Sequence, residues 1–362
     1  MSLNLGTVRE SDTQTGGLPV DEVVQTPLGP RTVGELDKSS KVLGGDGRSR
    51  TVLNVRRLGE QEIFKIAFTD GTSLRTTSTQ PWQILSHGWS RTVDTEWLMT
   101  HKLERQSGWS YRIPPSGLAY YEQAELPLNP YVLGALLGDG SFRERGGATL
   151  TGTDPVVFDE VRSNLPEGDT LRVTSDKRNE RVLKGYIGRN RKRSMTREAL
   201  EAFGLWGLRS ENKFIPPPYL VGSVEQRLAL LQGLMDTDGW TPSHTNTIAY
   251  STSSPQLRDD FTTLIWSLGG IATWKTKKDP RYQNGFGLDH FQGRICLPND
   301  VLPYRGQRGL ALRDRSFGLP RRYVTSVEPD GTAEAANLVL VDGSTYLVGR
   351  QLALTGTPTV VL

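Results

Sequence analysis

The decapeptide LLQGLMDTDG at residues 230–239 has the apolar spacing of a helix that ends in a carboxylate. Leu231 is followed at helical spacing by Leu234 and Met235, and Asp238 lies one further turn along, on or beside the same face. The glycine that follows is a helix stop. A carboxylate at that point meets the partial negative charge of the helix C-terminus, which is locally unfavourable. The pattern indicates that Asp238 uses this negative potential to hold a cation.

A second stretch, YVLGALLGDG at residues 131–140, repeats the construction and ends in Asp139 and glycine. Gly134 and Gly138 lie four residues apart on one face, and the other copy has Gly and Thr at the same offsets from its final Asp. Small residues at this spacing allow two helices to touch backbone to backbone. We expect the two helices to pack together and to bring Asp139 and Asp238 close to each other.

Both stretches resemble the signature helices of the LAGLIDADG homing endonucleases, in the single-chain form that carries two motifs. The segment 230–239 is a close match, and residues 133–140 resemble a variant ending in GDG. One copy alone would equally indicate an ordinary buried helix with a C-terminal glycine. Two copies 99 residues apart, at Asp139 and Asp238, favour the family.

Composition narrows the class of protein. The chain has 362 residues, enough for two or three domains, and 36% of them are hydrophobic. It contains no run of 18 apolar residues and no N-terminal signal sequence. Cys296 is its only cysteine, which excludes an internal disulfide or a cysteine-based zinc site and fits a reducing compartment. The four histidines are scattered without metal-ligand spacing.

The charge is distributed unevenly along the chain, although the net charge is only +3. Residues 131–325 contain 28 Lys and Arg against 21 Asp and Glu, and the rest of the chain contains 15 against 19. The basic part coincides with the part that bears the two helices. This distribution suits a polyanionic partner.

The N-terminal region from residue 17 to about 125 reads as an all-β module. Short β-like runs alternate with turn signals such as Asp70-Gly71. The predicted strands are Val23-Val24, Lys41–Leu43, Thr51–Val55, Ile63–Phe68 and Ser73–Thr77. Residues 1–16 are expected to be a disordered leader.

This module resembles the Hint fold of inteins and hedgehog autoprocessing domains. Residues 17–29 are similar to the opening intein block, and Thr77-Ser78-Thr79-Gln80-Pro81 to the block that normally reads Thr-x-x-His-Pro. The stretches 337–348 and 354–357 resemble the last two blocks, which normally end in His-Asn. The resemblance implies that the module is formed from both ends of the chain, around an inserted segment.

The residues that splicing needs are missing from these positions. Gly17 stands where Cys or Ser would supply the nucleophile, and Gln80 stands where the assisting histidine is expected. The terminal His-Asn pair aligns with Thr355 and Gly356, so no asparagine is placed to cyclise. We expect a splicing-inactive scaffold.

The fold class that follows is α+β: a pseudo-two-fold LAGLIDADG domain inserted in an all-β Hint-like domain. The predicted domains are 17–125 with 323–362, and 126–322 between them. After each signature helix come β-like segments and a further helix, over Thr196–Leu205 in the first half and near Pro255–Leu268 in the second. This order predicts an αββαββα repeat.

The resemblance implies that Asp139 and Asp238 are catalytic ligands of Mg²⁺, with two or more divalent ions bound. The backbone carbonyls of Gly138 and Thr237 are further candidate metal ligands, and Asp236 is a weaker one. Divalent metal suits phosphodiester cleavage, because it activates water and neutralises charge on the phosphate. Lys213, in the stretch Lys213-Phe214-Ile215-Pro216, is the candidate for a catalytic basic residue near the scissile phosphate or the attacking water. The alternative is that it is an ordinary surface lysine. Its counterpart in the second half is expected at Arg313 or Arg315.

Basic side chains between the signature helices, and after the second one, are candidates for DNA binding. Lys and Arg contacts to phosphates supply affinity, and contacts to base edges supply sequence choice. The candidates are Arg143, Arg145, Arg172, Lys177, Arg178, Arg181, Lys184, Arg189, Arg191, Lys192, Arg193, Lys275, Lys277, Lys278, Arg281 and Arg294.

The predicted function is a site-specific, Mg²⁺-dependent endonuclease that cuts both strands of double-stranded DNA. Two alternatives stay open: a DNA-binding protein of the same fold that has lost cleavage, and a protein-splicing or autoprocessing element. A chain with both motifs is expected to act as a monomer, without a membrane partner. Its expected location is the cytoplasm, with access to nucleoid or phage DNA.

Overall fold

The computed structural model describes residues 16–86, 88–114, 116–142, 147–176, 179–190, 192–241, 248–278, 289–306, 320–341 and 345–355. The predicted leader lies outside these residues, apart from Gly16. The chain divides into two compact units. Unit 1 comprises Met1–Gly117 and Arg321–Leu362, and unit 2 comprises Leu118–Pro320. Residues 118–125, which the sequence assigned to the β module, therefore group with the inserted segment.

Unit 1 is rich in strands drawn from both ends of the chain. Its strands are β1 (Leu18–Pro19), β2 (Val23–Thr26), β3 (Gly29–Thr32), β4 (Lys41–Leu43), β5 (Ser49–Phe68), β6 (Ser73–Thr77), β7 (Pro81–Ser86), β8 (Trp89–Asp94), β9 (Glu104–Arg105), β10 (Gly108–Trp109), β11 (Arg112–Ile113), β20 (Arg322–Leu340), β21 (Tyr346–Val348) and β22 (Ala353–Thr355). Helix α1 covers Thr95–Thr100.

Two long antiparallel strands, β5 and β20, run through the main sheet of unit 1, whose order is β4-β5-β20-β11-β7-β8. The sequence predicted two separate strands within β5, but the structure has one. Gly59 of β5, whose φ is 73°, is the register partner of Ala335 in β20. The register of the pairing shifts there, between Ala335 and Ala336. This irregularity lets β5 bend and continue. The C-terminal strand β21 pairs with β2, at Val348 and Val24.

Unit 2 consists of helices packed with two four-stranded sheets. Its helices are α2 (Pro130–Asp139), α3 (Pro155–Ser163), α4 (Met195–Ala202), α5 (Pro217–Leu220), α6 (Val224–Asp238) and α7 (Pro255–Ser267). Its strands are β12 (Gly140–Ser141), β13 (Thr149–Gly152), β14 (Thr170–Ser175), β15 (Leu183–Gly188), β16 (Gly239–Trp240), β17 (Ile248–Thr252), β18 (Ile271–Lys278) and β19 (Asp289–Cys296).

The two halves of unit 2 have the same topology, which confirms the predicted repeat, but the counterpart of α7 in the first half is α3, which the sequence did not predict; the predicted helix at Thr196–Leu205 is α4, which follows the first sheet. The first sheet has the order β12-β13-β15-β14, and the second has the order β16-β17-β19-β18. Each half begins with a signature helix, α2 or α6, and inserts one helix between its second and third strands. One hydrophobic core unites the halves, with buried side chains from both signature helices and both sheets. None of the described helices is long and apolar enough to cross a bilayer.

Candidate active site at the paired helix ends

The two signature helices begin at capping residues and end at the predicted aspartates. Asn129 caps α2 through a hydrogen bond from the Tyr131 amide, and Ser223 forms a capping box with Gln226 at the start of α6. Each helix ends at its Asp, and the next glycine is extended, with φ of −83° at position 140 and −87° at position 239. These glycines are therefore not left-handed caps. At position 140, glycine is needed because there is no room for a side chain: a Cβ there would lie 2.2 Å from the carbonyl oxygen of Leu136.

Helices α2 and α6 touch through their glycines, which confirms the predicted backbone contact. A Cβ added at Gly134 would lie 2.3 Å from the carbonyl oxygen of Leu230, and one added at Gly233 would lie 2.2 Å from that of Tyr131. Real Cβ atoms do not approach backbone oxygens so closely. Glycine at both positions is therefore what permits the helices to cross at this distance.

The close packing continues to the C-terminal ends of both helices. A Cβ at Gly138 would lie 3.3 Å from Oδ2 of Asp238 and would overlap the Thr237 hydroxyl at 2.0 Å. The carboxylate of Asp238 therefore lies directly beside the residue that precedes Asp139. The Thr237 hydroxyl donates back to its own helix, to the carbonyls of Gly233 at 3.0 Å and Leu234 at 2.9 Å.

Lys213 lies at the C-terminal end of α2, but its side chain is buried inside the protein. Its side chain is only 2% exposed. Its ammonium donates to main-chain carbonyls at the end of α2 and just beyond it: those of Leu136 at 3.1 Å, Leu137 at 2.8 Å, Gly138 at 3.2 Å and Gly140 at 2.8 Å. Nζ also lies 5.0 Å from the centroid of the Phe142 ring. A cation at this position offsets the partial negative charge of the helix end.

Burial lowers the pKa of Lys213 to about 8, because it removes water from the charged amine, while Asp238 and Asp139 act in the opposite direction. The chain that carries the lysine is also fixed. The Ser254 hydroxyl donates to the Lys213 carbonyl at 2.6 Å, and the Ile215 amide donates to Asp260 at 2.8 Å. Lys213 is thus a rigid cation next to both aspartates.

The oxygen atoms at the helix ends fit a hard divalent cation. Asp139 and Asp238 supply carboxylates, and Gly138 and Thr237 supply main-chain carbonyls. Mg²⁺ typically takes one or two carboxylates together with water and substrate phosphates. Within the residues that the structure describes, no three His, Cys, Asp or Glu side chains are grouped as a metal site. Oxygen atoms of the substrate would therefore have to complete the coordination of a cation bound by these donors.

Asp236 has a different role, one that the sequence did not reveal. Its carboxylate is nearly buried, and burial raises its pKa. It accepts hydrogen bonds from the Tyr131 hydroxyl at 2.8 Å and from the amides of Arg305 and Gly306 at 3.1 Å. Asp236 thus ties α2 and the segment after β19 to α6. The only sequence signal was a second carboxylate in the motif, because its partners are 105, 69 and 70 residues away.

The same segment is held by the side chain of Arg305. Its guanidinium bonds to Gln232 at 2.6 Å and to Glu160 at 2.9 Å, and it lies 4.9 Å from the centroid of the Tyr131 ring. A cavity of about 220 Å³ lies next to Asp139 and is also lined by Asp154, Asp236 and Thr237. The two halves of unit 2 therefore meet in a cross-linked polar region beside the catalytic candidates.

Tyr250 is a second residue that sequence reasoning missed. It pairs with Gly239 across β16 and β17, whereas the first half has Leu150 paired with Gly140. The ring stacks on Phe261 at 3.9 Å. Among the described residues its buried hydroxyl has no hydrogen-bond partner. Burial, with Asp238 and Asp139 nearby, raises its pKa well above the ordinary value, so the hydroxyl stays protonated.

Several of the predicted DNA-binding residues share one face of their sheet. Arg172 pairs with Tyr186 across β14 and β15, with its guanidinium 5.5 Å from the ring centroid, and Lys184 follows on the same face. In the second sheet, Lys275 and Lys277 lie on one face of β18, opposite the face that carries Trp274, and Arg294 is the register partner of Thr273 on the lysine face. Each sheet therefore presents basic side chains on the face away from its core.

Other predicted residues lie elsewhere. Lys278 is the register partner of Asp289 on the opposite face from Lys275. Lys184 stays on the basic face of the first sheet, where it forms an ion pair with Asp176. Arg193 forms an ion pair with Glu201. The positions Arg181, Arg189 and Lys192 flank β15. The candidates outside the described residues are Arg143, Arg145, Lys177, Arg178, Arg191, Arg281, Arg313 and Arg315.

Unit 1 brings together the positions that resemble a splicing site. The Gly17 amide donates to the Thr77 hydroxyl at 2.9 Å, and the Asn337 amide group donates to the Gly16 carbonyl. Gln80 Nε2 donates to the Thr355 hydroxyl at 2.7 Å, which in turn donates to the Pro81 carbonyl at 2.7 Å. The described N- and C-terminal segments, at residues 16–17 and at Thr355, therefore contact the same region, residues 77–81. Gly356 lies outside the described residues.

Residues 225–295 match the family model of the LAGLIDADG-like domain. The replicative DNA helicase DnaB of Mycobacterium intracellulare is 26% identical over 284 residues, covering 72% of this chain and 44% of the helicase. The chain thus spans less than half the length of that relative.

Two solved structures match parts of the chain at low identity and low TM-score. The gp41-1 intein is 19% identical and has a TM-score of 0.22, with 28% of this chain and 68% of the intein covered. The homing endonuclease I-DmoI, solved in complex with DNA and Ca, is 10% identical and has a TM-score of 0.35, with 52% of this chain and 98% of I-DmoI covered.

The fold is of the mixed α and β class, with a helix-and-sheet repeat inserted in a β-rich unit. Within that repeat, residues 225–295 are similar to the LAGLIDADG-like domain.

Proposed function

We propose that unit 2 is a site-specific DNA endonuclease that cuts both strands of a duplex and depends on Mg²⁺. The observation that carries this proposal is the pair of aspartates at the ends of two helices in backbone contact. The direct packing of Gly134 against Gly233, and of Gly138 against Thr237, fixes the distance between the two carboxylates. Two carboxylates held in this way suit one cleavage event on each strand.

Asp139 and Asp238 are the residues that would hold divalent metal, with the carbonyls of Gly138 and Thr237 as neighbouring donors. Bound metal supplies a polarised water and neutralises charge that develops on the phosphate. We assign Lys213 a positioning role, because its ammonium faces the carbonyls at the end of α2. It fixes the peptide units on both sides of Asp139 and adds positive charge beside the carboxylates.

The basic faces of the two sheets would bind the DNA. Arg172 and Lys184 on the first sheet, and Lys275, Lys277 and Arg294 on the second, are the described residues that support this role. Two sheets of equal topology but different side chains suit a target whose two halves differ in sequence. Phosphate contacts from these cations would make the affinity fall as salt rises.

The decisive experiment compares cleavage and binding by aspartate variants. The target is first found by incubating the full chain with a randomised duplex library and Mg²⁺ and sequencing the cut ends. Asp139→Asn and Asp238→Asn keep the shape of the side chain but remove a charge from the metal site. We expect cleavage to fall by orders of magnitude, and each single variant to retain mainly nicking of one strand.

Binding should survive in the same variants, because phosphate contacts come from the basic strands. It is measured by gel shift on the identified duplex in Ca²⁺. Asp159→Asn, which removes an exposed charge from α3, is the matched control and should cut normally. Full cutting by the Asp139→Asn, Asp238→Asn double variant would refute the assignment. Binding without cutting by the wild-type chain would favour the cleavage-inactive alternative.

We further infer that unit 1 is inactive in splicing, that the chain acts as a monomer, and that it works where it has access to DNA. The glycine at position 17 and the glutamine at position 80 support the first inference, since neither can supply the nucleophile or the proton transfer that the reaction requires. The presence of both helices in one chain supports the second. The single cysteine suits a reducing compartment.

A further inference from the structure

A tyrosine side chain is buried beside the end of α6. Tyr250 lies on β17 as the register partner of Gly239, the residue that follows Asp238. Register partners of an antiparallel pair carry their side chains on the same face of the sheet. On that face, a Cβ at Gly239 would lie 2.5 Å from Cε of Met235. The face that carries the Tyr250 ring is therefore packed on the last turn of α6.

The Tyr250 ring is held between other aromatic side chains. Its residue is fully buried, and the ring stacks on Phe261 with the centroids 3.9 Å apart and an angle of 4° between the planes. The Trp274 ring is nearly perpendicular to it, with the centroids 6.3 Å apart. Because the phenol oxygen lies on the long axis of the ring, the contacts that hold the ring also fix the position of the oxygen.

The hydroxyl of Tyr250 has a hydrogen to donate but no acceptor among the protein atoms of the described residues. The hydroxyls of Tyr131 and Tyr219 show the ordinary arrangement, because they donate to Asp236 and to the Leu128 carbonyl, both at 2.8 Å. A buried polar group without a protein partner is unfavourable unless water, an ion or a functional role explains it. The Tyr250 hydroxyl therefore requires a partner from outside the protein.

The charges nearest to this hydroxyl are those of the two candidate metal ligands. Burial, and after it the charges of Asp238 and Asp139, raise the pKa of Tyr250. The oxygen therefore keeps its proton and acts as a hydrogen-bond donor. A donor that does not touch a nearby acceptor reaches it through one bridging water, at little loss of enthalpy. Asp238, which precedes the register partner of Tyr250, is the acceptor that this position favours.

At the equivalent position, the first half of unit 2 has no hydroxyl. The register partner of Gly140 is Leu150, which is buried and apolar. The end of α2 is instead served by Lys213, whose ammonium donates to main-chain carbonyls there. The two aspartates are thus supported by different groups, so the contribution of the tyrosine is separable from that of the lysine.

We propose that Tyr250 is a positioning residue for Asp238: its hydroxyl donates to a bound water that in turn donates to the Asp238 carboxylate, and so fixes the orientation in which that carboxylate holds divalent metal. The inference rests on the proposed function, because it takes Asp238 to be a metal ligand. Outer hydrogen bonds of this kind orient ligating carboxylates, and their loss weakens metal binding by about 10–100-fold.

The test measures Mn²⁺ binding to the full chain without DNA, from the electron paramagnetic resonance signal of the free ion. Mn²⁺ prefers the same carboxylate, carbonyl and water ligands as Mg²⁺. Tyr250→Phe keeps the ring and its stacking and removes only the oxygen. We expect it to weaken Mn²⁺ binding about tenfold. The melting temperature of the metal-free chain should not fall, because no hydrogen bond to a protein atom is lost. The double variant Asp139→Asn, Asp238→Asn gives the background from other carboxylates.

Tyr219→Phe is the matched control, because it also removes a tyrosine hydroxyl from the interior of unit 2. This hydroxyl donates to the Leu128 carbonyl at 2.8 Å and accepts from the Leu128 amide at 3.2 Å. Its loss should lower the melting temperature of the metal-free chain and leave Mn²⁺ affinity unchanged. The same pattern in Tyr250→Phe would show a merely structural hydroxyl and would overturn the inference.

A double-variant cycle assigns the effect to one aspartate. Tyr250→Phe should weaken Mn²⁺ binding in the Asp139→Asn chain. It should have no effect in the Asp238→Asn chain, because the carboxylate that it positions is absent there. Equal effects in both backgrounds, or none in either, would contradict the inference. The same conclusion would follow if the wild-type chain bound no more Mn²⁺ than the double aspartate variant.

The two proposals fail in different ways. If the wild-type chain cuts no DNA in Mg²⁺ but Tyr250→Phe weakens Mn²⁺ binding through Asp238, the proposed endonuclease is wrong and the positioning role stands. If the wild-type chain cuts DNA and Tyr250→Phe binds Mn²⁺ as the wild type does, only the inference about Tyr250 is wrong.

Discussion

Lys213 shows how a buried cation can act on a neighbouring carboxylate through the backbone. An ammonium has three N–H groups, whereas four carbonyls lie within 3.2 Å of Nζ, so at least one donor is shared. The carbonyls belong to residues on both sides of Asp139. The Leu136 carbonyl also accepts the Gly140 amide, but removal of the amine would take a donor from each of the four acceptors, at a cost of about 1–3 kcal/mol for each group left unsatisfied.

The titration of Lys213 should appear in the stability of unit 2. Its pKa is about 8 in the folded chain, against an ordinary value of 10.5. Between these values the unfolded chain binds the proton and the folded chain does not, so stability rises with pH. We expect the unfolding free energy of the wild type, relative to Lys213→Met, to increase from pH 8 to about 10.5, by at most about 1.4 kcal/mol per pH unit.

Urea unfolding of both proteins at pH 7, 9 and 10.5 measures this difference. Below pH 8 both states are protonated and the difference should be flat. Lys213→Arg is a useful comparison, because arginine keeps its charge throughout this range. A difference that decreases above pH 8 would show that the amine is more basic in the folded chain than in the unfolded one.

At the scale of elements, the crossing of α2 and α6 sets the geometry of the candidate site. The new Cβ of Gly134→Ala would meet the carbonyl oxygen of Leu230 at 2.3 Å and the amide of Leu234 at 2.9 Å, which are backbone atoms of the other helix. Such atoms cannot move aside as a flexible side chain can. The two helices, and with them Asp139 and Asp238, must therefore separate.

We expect Gly134→Ala to destabilise unit 2 by about 1–3 kcal/mol. This loss exceeds the gain of up to about 1 kcal/mol that alanine brings to a helix interior. Gly188→Ala is the control, because a Cβ there has no atom within 4 Å. Thermal unfolding and the cleavage rate measure the effect. If both alanine variants unfold at the same temperature, the glycine contact is not what holds the helices together.

The sequence revealed those parts of the site that depend on short-range periodicity. Both helices, their terminal aspartates and the glycine contact followed from spacing within ten residues. The roles of Asp236 and Tyr250 did not, because their partners lie on other elements. Lys213 was placed near the site by resemblance, yet its bonds to four carbonyls depend on how residues about 75 positions apart pack.

At the scale of the whole molecule, unit 1 brings its described N- and C-terminal segments together without reactive groups at Gly17 or Gln80. We expect the purified full chain to keep its mass during long incubation at neutral pH. Gly17→Cys alone should also fail to splice, because Gln80 is still present and Gly356 stands at the position where the asparagine is expected. Intact-mass spectrometry checks both proteins. Release of a defined terminal fragment from the unmodified chain would contradict the expectation and revive the autoprocessing alternative.

The long pairing of β5 with β20 has a consequence for biosynthesis. On a ribosome, β5 is complete at Phe68, but the strand that pairs with it begins only at Arg322. With roughly 250 intervening residues and translation at about 5–20 residues per second, β5 waits roughly 10–50 s for its partner. Its unpaired edge is a template for pairing with other nascent chains during that interval. Unit 2 is fully synthesised within the same delay, so translation speed and chaperone supply should control the yield of unit 1 far more than that of unit 2.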